Sequence, residues 1–295
     1  MTGGDWLETH RGMVYRWEVD HNDHFTVAYY FTRLADAGFG VLDALGLGAG
    51  YAGRAGRACV TVDCYVRYLR ELRAGDILHV ESGVIAVEPD ALVLGHRLFD
   101  SESGAVCTTA EQRIHHVDLR TGAAVAFYAE QRQAADARRV AWDGPPREQR
   151  PRPSSLEGFR DSARDTVQPS ELDIFGQVAL PHYILRFSAA NGHTTAALGM
   201  TPGYMRDRRR GFSTFEFQLA LAGTLRPGDP VRVRSAPLHV GRSSMRLLHV
   251  MTNERSGERV ASLEQLGVHF DMDARRSTPL PDALRDKAKA LLVPA

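Results

Sequence analysis

Residues 20–30 read DHNDHFTVAYY, a cluster of polar side chains that runs directly into an apolar segment. Asp20, Asn22 and His24 place a carboxylate, a carboxamide and an imidazole at alternate positions just before the predicted start of a helix. Because unpaired backbone amides and the positive end of the helix dipole are found at a helix start, polar side chains gathered there are suited to binding or catalysis. The stretch therefore predicts a functional site in front of a helix.

The segment after the cluster has the spacing of an amphipathic helix. From Thr26 to Leu45, apolar or small residues recur every three or four positions, which predicts one buried stripe composed of Ala28, Phe31, Ala35, Gly38, Leu42 and Leu45. Thr26 is a suitable N-cap, and Gly46 supplies a stop signal. A long helix is therefore predicted in the first half of the chain.

Strand-like runs flank this helix. Residues 14–19 alternate loosely and predict a first strand. After the helix, turn-forming residues separate four further runs, which are Cys59 to Tyr68, Ile77 to Val87, Ala91 to Phe99 and Val106 to Val117. The first half is therefore predicted to be a strand, one long helix and an antiparallel meander.

The second half of the chain repeats this plan at an offset of 153 residues. Residues 72–76 (LRAGD) correspond to residues 225–229 (LRPGD), since 228 − 75 = 153 for the shared glycine. The same offset relates residues 44–46, 103–104 and 111–112 to identical short stretches downstream. A repeat of this length indicates two copies of one domain. We predict an N-terminal domain at residues 1–141, a proline-rich linker at 142–160 and a C-terminal domain at 161–295.

Composition excludes several classes of protein. The chain has 295 residues, with 36 lysines and arginines balanced by 36 aspartates and glutamates, so we expect neither a nucleic-acid partner nor a membrane partner. Its three cysteines have no metal-ligand spacing and predict buried free thiols without a bound metal. No signal peptide or membrane-spanning run is evident, and we expect a cytoplasmic protein.

The repeat pairs the opening cluster with a second one. Asp20 falls opposite Asp173, whereas the other two members of the cluster are replaced, Asn22 by Phe175 and His24 by Gln177. The two sites are therefore predicted to be homologous but chemically different.

These features together resemble the hotdog-fold thioesterases. Asp20, Asn22 and His24 match the D-x-N-x-H pattern of acyl-ACP thioesterases and of the short thioesterases associated with carnitine breakdown. Residues 171–178 are similar to relatives of 4-hydroxybenzoyl-CoA thioesterase, whose catalytic aspartate would fall on Asp173. The resemblance implies an α+β double hotdog, with two copies of a long helix packed against an antiparallel sheet.

The resemblance also implies hydrolysis of an acyl-CoA thioester, with no cofactor besides the CoA of the substrate. Asp20 or Asp173 would be the nucleophile or the general base for water, Asn22 would orient water or the thioester, and His24 is an alternative base. Backbone amides at the helix starts would polarise the carbonyl, which makes residues there substrate-binding candidates, namely Thr26, Val27, Gln177 and Val178.

The helix stripe of the second copy is partly polar, because Ser188 and Asn191 replace Ala35 and Gly38. Buried polar side chains need partners, so these two residues are further substrate-binding candidates. We therefore expect a small or polar acyl group.

Other interpretations stay open from the sequence alone. Hotdog proteins include hydratases and dehydratases that act on acyl thioesters, and a non-catalytic acyl-CoA-binding protein would explain why the second copy departs from the D-x-N-x-H pattern. Each aspartate could instead act only as a helix cap. The two copies are expected to form a pseudo-dimer, and a homo-oligomer of such pseudo-dimers is a further possibility.

Overall fold

The computed structural model describes residues 4–21 and 23–294 and divides into two compact units. The first unit contains the chain up to Pro146 together with Leu172–Pro181, and the second contains Arg147–Glu171 and the chain from His182 onward. The stretch Leu172–Pro181 belongs to the second sequence repeat but to the first structural unit. It carries Asp173, one of the predicted catalytic residues.

Helices and strands alternate as expected for an α+β protein. The helices of the described residues are α1 (Val27–Ala44), α2 (Ala49–Ala55), α3 (Ala129–Asp136), α4 (Leu180–Ala197), α5 (Pro202–Arg208) and α6 (Asp282–Ala290). The strands are β1 (Leu7–Met13), β2 (Arg57–Tyr68), β3 (Ile77–Val87), β4 (Ala91–Asp100), β5 (Val106–Asp118), β6 (Arg160–Thr166), β7 (Arg210–Leu221), β8 (Pro230–Val240), β9 (Ser244–Asn253), β10 (Arg259–Asp271) and β11 (Arg276–Ser277).

In the first unit, five antiparallel strands lie in the order β1-β3-β4-β5-β2, and α1 packs against β1, β3 and β4. Apolar side chains from the helix and the sheet form the core, among them Val41, Leu94 and Ile114. The prediction for α1 is confirmed, since Thr26 is its N-cap and Gly46 has a positive φ of 71° just beyond its end. The four predicted strands after the helix are confirmed as β2 to β5, with ends that differ by at most two residues.

The second unit has the same architecture. Its antiparallel strands lie in the order β6-β8-β9-β10-β7, and the short strand β11 pairs with β10. On α4, the ring of Phe187 lies 6.1 Å from the ring of His249 on β9. The two halves of the chain therefore repeat each other in structure as well as in sequence.

The predicted strand at residues 14–19 is wrong. The first strand is β1, which ends at Met13, and Arg16–Glu18 instead form a single turn of 3-10 helix. The turn forms because the Glu18 carboxylate accepts a hydrogen bond from the Tyr15 amide at 3.0 Å and pairs with Arg33 of α1. Alternation over a few residues could not reveal these distant contacts. Sequence reasoning also missed the shorter helices α2, α3, α5 and α6.

The segment between α3 and β6 has no helix or strand, but its side chains are fixed against the units. In the first unit, the Trp142 indole donates a hydrogen bond to Glu111 at 2.9 Å. In the second, Arg150 forms ion pairs with Glu216 and Glu264, whose side chains are each 1 % exposed. Because buried carboxylates need a compensating charge, these contacts hold the segment in place.

Candidate active site

The loops that carry the two predicted aspartates have the same geometry. The Asp20 amide donates to the His24 carbonyl at 2.9 Å, and Asp20 Oδ1 accepts from the His24 amide at 3.1 Å. In the second copy, the Asp173 amide donates to the Gln177 carbonyl at 2.7 Å, and Asp173 Oδ1 accepts from the Gln177 amide at 3.0 Å. In each loop, Oδ1 of the aspartate therefore accepts a hydrogen bond from the amide four residues further along the chain.

Both loops pass through a left-handed backbone conformation at corresponding positions. Asp23 has a φ of 57°, and its counterpart Gly176 has a φ of 75°. Glycine adopts this conformation without strain, whereas a residue with a Cβ atom does not. The geometry explains why glycine suits this position and identifies Asp23 as a strained residue.

An ion pair anchors each loop to the helix that follows it. Arg33 of α1 lies 2.8 Å from Glu18, and the two residues are 8 % and 4 % exposed. Arg186 of α4 lies 2.7 Å from Glu171 and 2.8 Å from Asp165. A charge in a poorly solvated place is costly without its partner, so each pair stays together and holds its loop against the helix.

The remaining candidates in the first copy surround the start of α1. Asn22 lies outside the described residues. The Nε2 atom of His24 lies 2.9 Å from Glu71 Oε2, so this imidazole is directed at an acid in the connection between β2 and β3. Thr26 caps the helix without a hydrogen bond from its side chain, and Val27 is the first helical residue.

The first unit contains a small cavity of about 50 Å³ with Asp173 in its wall. Helix α1, strands β2 and β5, the Asp173 loop and the start of α4 form its lining, which consists of Ala35, Gly38, Phe39, Leu42, Cys59, Val60, Thr61, Gln112, Ile114, Asp173, Phe175, Ala179 and Leu180. Most of these side chains are apolar. The cavity therefore surrounds an acid with an environment that is poor in water.

Burial raises the pKa of Asp173, and the hydrogen bonds from the Gln177 and Phe175 amides act in the opposite direction. Its carboxylate is consequently a stronger base than that of a solvated aspartate. Both amides bind Oδ1, at 3.0 and 2.8 Å. Within the described part of the chain Oδ2 has no donor, which leaves this oxygen available to a water molecule or a substrate.

The start of α4 contributes to the same cavity through Ala179 and Leu180. Amides in the first turn of a helix have no partner within the helix and can bind a developing negative charge. The next residue, Pro181, has no N–H, whereas its counterpart in α1 is Ala28. The α4 start therefore offers one amide fewer than the α1 start.

A chain of buried polar side chains crosses the sheet of the first unit. Thr9 and Ser82 hydroxyls lie 2.8 Å apart, and Ser82 Oγ lies 2.7 Å from His96 Nδ1. His96 Nε2 lies 2.9 Å from Gln112 Oε1, and Gln112 Nε2 donates to Thr61 Oγ1 at 2.7 Å. The chain thus runs from β1 to β2 and ends at two residues of the cavity wall.

The second unit contains the same chain at the same offset. Ser162 and Ser235 hydroxyls lie 2.6 Å apart, Ser235 Oγ lies 2.6 Å from His249 Nδ1, His249 Nε2 lies 3.2 Å from Gln265 Oε1, and Gln265 donates to Thr214 at 2.7 Å. Burial lowers the pKa of each histidine to about 4, so both imidazoles are neutral near pH 7. We refer to each set of five residues as a relay.

A thiol also lines the cavity, but it is not suited to nucleophilic attack. Burial raises the pKa of Cys59 to about 12, and the nucleophilic form of cysteine is the thiolate. Cys64 and Cys107 are likewise buried and form no disulfide, in agreement with the sequence. In residues 4–21 and 23–294, no group of three or more potential ligands is arranged to hold a metal ion.

Among the predicted catalytic residues, Asp173 lines this cavity. The backbone amide of Gln177, a predicted substrate-binding residue, donates a hydrogen bond that closes the Asp173 loop. Val178 is buried beside the loop in a bridge to Leu172. Ser188 Oγ and Asn191 Oδ1 on α4 are buried and have no hydrogen-bond partner among the described residues.

Sequence reasoning missed Thr61 and Gln112 as components of the site. A signal was available for Gln112, because the repeat matches residues 111–112 to residues 264–265. No comparable signal marked Thr61.

The helices within the described ranges are too short or too polar to cross a membrane.

Comparison with known proteins adds independent evidence. The chain is 32% identical over 139 residues to an L-carnitine dehydrogenase/betainyl-CoA thioesterase of Agrobacterium fabrum, which covers 47% of this chain and 28% of that protein. It is 26% identical over 101 residues to a betainyl-CoA thioesterase of Pseudomonas aeruginosa, which covers 34% of this chain and 64% of that protein. The chain thus spans less than a third of the bifunctional relative.

Solved structures share the fold over most of the chain. A Lactobacillus plantarum protein described as an oleoyl thioesterase has a TM-score of 0.71 at 13% identity and covers 90% of this chain and 97% of its own. An acyl-ACP thioesterase from Bacteroides thetaiotaomicron has a TM-score of 0.67 at 16% identity and covers 88% and 96%. These likenesses confirm the predicted double hotdog fold.

The family comparison covers both halves of the chain. The profile of the thioesterase-like superfamily matches residues 14–135 and again residues 167–288. Each match spans one copy of the helix-and-sheet unit, and together they include both aspartate loops. The chain belongs to the thioesterase-like superfamily, with two copies of the family's domain in tandem.

Proposed function

We propose that this protein hydrolyses the thioester of an acyl-CoA with a small acyl group, and that the reaction takes place in the cavity around Asp173. The observation that carries the proposal is the carboxylate itself. It lies in a largely apolar cavity beside a helix start, has a raised pKa, and keeps Oδ2 free of donors among the described residues. Membership in the thioesterase-like superfamily supports the same chemistry.

The reaction follows from these groups. With Asp173 ionised, Oδ2 takes a proton from water as the water oxygen bonds to the carbonyl carbon, or it attacks that carbon itself. The carbonyl oxygen then becomes negative and is stabilised by the Leu180 amide at the start of α4. When water attacks, the C–S bond breaks, the thiolate takes the proton held by Asp173, and the products are free CoA thiol and a carboxylic acid that ionises to the carboxylate. When Oδ2 attacks, breaking the C–S bond expels the thiolate, which takes a proton from solvent, and leaves a mixed anhydride on Asp173. Water then hydrolyses this anhydride to the free acid and regenerates the Asp173 carboxylate. Both routes require the ionised form of Asp173.

The cavity favours a short acyl group. Its volume of about 50 Å³ exceeds the ~10–15 Å³ that a single water molecule needs and is far below the ~300–1,000 Å³ of pockets that enclose drug-sized ligands. A long fatty chain would require the walls to move apart. The prediction of a small acyl group therefore agrees with the volume of the cavity.

An aromatic pair provides a further criterion for the acyl group. The rings of Phe39 and Phe175 have centroids 5.8 Å apart, and both residues line the cavity together with Asp173. Aromatic faces and a nearby carboxylate attract a quaternary ammonium group. Betainyl-CoA, named in the relatives from Agrobacterium and Pseudomonas, carries such a group next to its thioester and is our first candidate substrate.

The test is release of free CoA thiol, measured with a thiol-reactive dye, from acetyl-, betainyl-, 4-hydroxybenzoyl- and palmitoyl-CoA. We expect turnover of the small thioesters and the highest kcat/KM for betainyl-CoA. A hydratase would release no thiol, and a non-catalytic binding protein would bind the esters without turnover. A clear preference for palmitoyl-CoA would contradict the assignment of the acyl site.

Two matched variants assign the reaction to one loop. Asp173→Asn keeps an oxygen for the two loop amides but removes the base, and we expect kcat to fall by about 10²–10⁴-fold. Asp20→Asn makes the same change in the first loop and should leave most of the activity. Loss of activity in Asp20→Asn with activity retained in Asp173→Asn would assign the reaction to the loop that carries Asn22 and His24.

A further inference from the structure

The direction of the hydrogen bonds in the first relay follows from the chemistry of its members. The Gln112 carboxamide nitrogen only donates, and it faces Thr61 Oγ1 at 2.7 Å, while its oxygen only accepts and faces His96 Nε2 at 2.9 Å. His96 Nε2 must then carry the proton of the neutral ring. Nδ1 is left as the acceptor for Ser82.

With the hydrogen bonds in this direction, the hydroxyl proton of Thr61 has no acceptor within the relay. Thr61 Oγ1 accepts from Gln112, and no acceptor for its own proton exists among residues 4–21 and 23–294. Thr61 lines the cavity that also contains Asp173. The hydroxyl is therefore a donor whose orientation is restricted by the relay and whose proton is available to a ligand.

A β-bulge changes the backbone at this point. The pairing of β2 with β5 shifts between Thr61 and Asp63, and the pairing of β7 with β10 shifts at the corresponding place, beside Thr214. Bulges bend a strand locally and redirect side chains, and they are frequent next to active sites. The same irregularity in both copies indicates that the position of this threonine is a feature of the domain.

The start of α4 supplies few hydrogen-bond donors to the cavity. Leu180 contributes an amide, but Pro181 has none to contribute. Stabilising an oxyanion commonly requires more than one donor, and each is worth a large factor in rate. A hydroxyl on the sheet side of the cavity would supply the donor that the helix lacks.

We propose that the Thr61 hydroxyl is a catalytic residue that donates a hydrogen bond to the thioester oxygen as negative charge develops there. His96 and Gln112 are positioning residues that hold Thr61 Oγ1 as an acceptor and so direct its proton into the cavity. The proposal rests on the hydrolytic function proposed above and adds a specific donor to the same site.

The first experiment measures the hydrogen-bond direction without any turnover. In protein labelled with ¹⁵N-histidine, long-range ¹H–¹⁵N spectra distinguish the two neutral tautomers, and a His96→Gln variant assigns the signal. We expect the proton of His96 on Nε2. A proton on Nδ1 would mean that the relay runs the other way, with the Gln112 amide reversed and Thr9 donating to the Val80 carbonyl 3.2 Å away. That result would overturn the proposal.

The second experiment measures steady-state hydrolysis of the best small acyl-CoA. Thr61→Val keeps the shape of the side chain but removes the donor, and we expect kcat to fall by about 10²–10³-fold with KM nearly unchanged. Thr61→Ser restores the hydroxyl and should recover most of the rate, which a purely structural role of the β-branched side chain would not predict.

Thr214→Val is the matched control, because it makes the same change at the corresponding place in the second unit. We expect it to retain wild-type kcat and KM. Wild-type kcat in Thr61→Val, or loss of activity in Thr214→Val alone, would overturn the assignment of Thr61. Failure of the wild-type protein to release thiol from any acyl-CoA would instead refute the proposed function, and the tautomer of His96 would still report on the relay.

Discussion

Mild acid should destabilise this protein through its two relay histidines. His96 and His249 are both 0 % exposed, and burial lowers the pKa of each to about 4. An unfolded chain exposes the same imidazoles to water, where their pKa is ~6.5. Between these values the unfolded state binds more protons than the folded state, so the free energy of unfolding falls as the pH falls.

The size of the effect follows from the two pKa values. Lowering the pH from 7 to 5.5 protonates most of each exposed imidazole but little of each buried one, which costs about 1.2 kcal/mol per histidine and about 2.5 kcal/mol for the pair. Burial also lowers the pKa values of His116 and His269, and these residues act in the same direction. The raised pKa of Asp173 acts in the opposite direction, because its protonated form is favoured in the folded state.

The assay is urea-induced unfolding at pH 7 and at pH 5.5, with the free energy obtained by linear extrapolation. Wild-type protein should lose about 2 kcal/mol or more between the two conditions. His96→Gln removes one titrating group, so the difference between the two pH values should shrink by about 1.2 kcal/mol, whatever the stability of the variant at pH 7. His239→Gln is the control, because this side chain is exposed in the folded protein.

Two outcomes would refute this reasoning. If His96→Gln and His239→Gln showed the same pH difference as the wild type, His96 would not be held neutral by burial. If wild-type stability rose between pH 7 and pH 5.5, the balance of groups would have the wrong sign, and carboxylates with raised pKa values would dominate instead.

Substitutions at two backbone positions should each change the stability, and the first should also lower the rate. In Gly38→Ala the new Cβ atom would lie 2.8 Å from Gln112 Oε1, so we expect the carboxamide to shift and kcat to fall. The helix itself gains about 1 kcal/mol when glycine is replaced by alanine. Steady-state kinetics measures the first effect and urea unfolding measures the second. In Asp23→Gly the left-handed position, with its φ of 57°, loses its strain, and we expect the free energy of unfolding to rise by about 1 kcal/mol, with an unchanged or lower value arguing that the loop relaxes around Asp23.

The features that could be predicted from the sequence depend on neighbours along the chain. The α1 helix was predicted from its apolar spacing, and its end was predicted from Gly46, because a stop signal acts within one turn. Thr26 occupies the predicted N-cap position, although its side chain makes no capping hydrogen bond. The antiparallel meander was predicted from turn-forming residues between strand-like runs. The offset of 153 residues then transferred the same expectations to the second half. Local signals and a repeat together specified the fold.

The cavity could not be predicted because its wall is assembled from distant parts of the chain. Thr61 reaches the cavity from β2, just before a bulge that depends on how β2 pairs with β5. Gln112 approaches α1 only because Gly38 lacks a side chain there. Neither contact follows from spacing along one element. The first strand was misplaced for the same reason, since Glu18 forms a turn through its pairing with Arg33.

The two copies differ in the aspartate loops, where the reaction is proposed, and agree in the relays, which would position a residue for that reaction. The loop positions after each aspartate have diverged, from Asn22 and His24 to Phe175 and Gln177. The relays have not diverged in the same way, since the only difference between them is serine in place of threonine at the first position. A chain of five polar side chains, of which at least the three central ones are buried, has a desolvation cost that apolar residues would avoid. In the first unit the relay ends at Thr61 in the Asp173 cavity, and this placement points to a role beyond packing there.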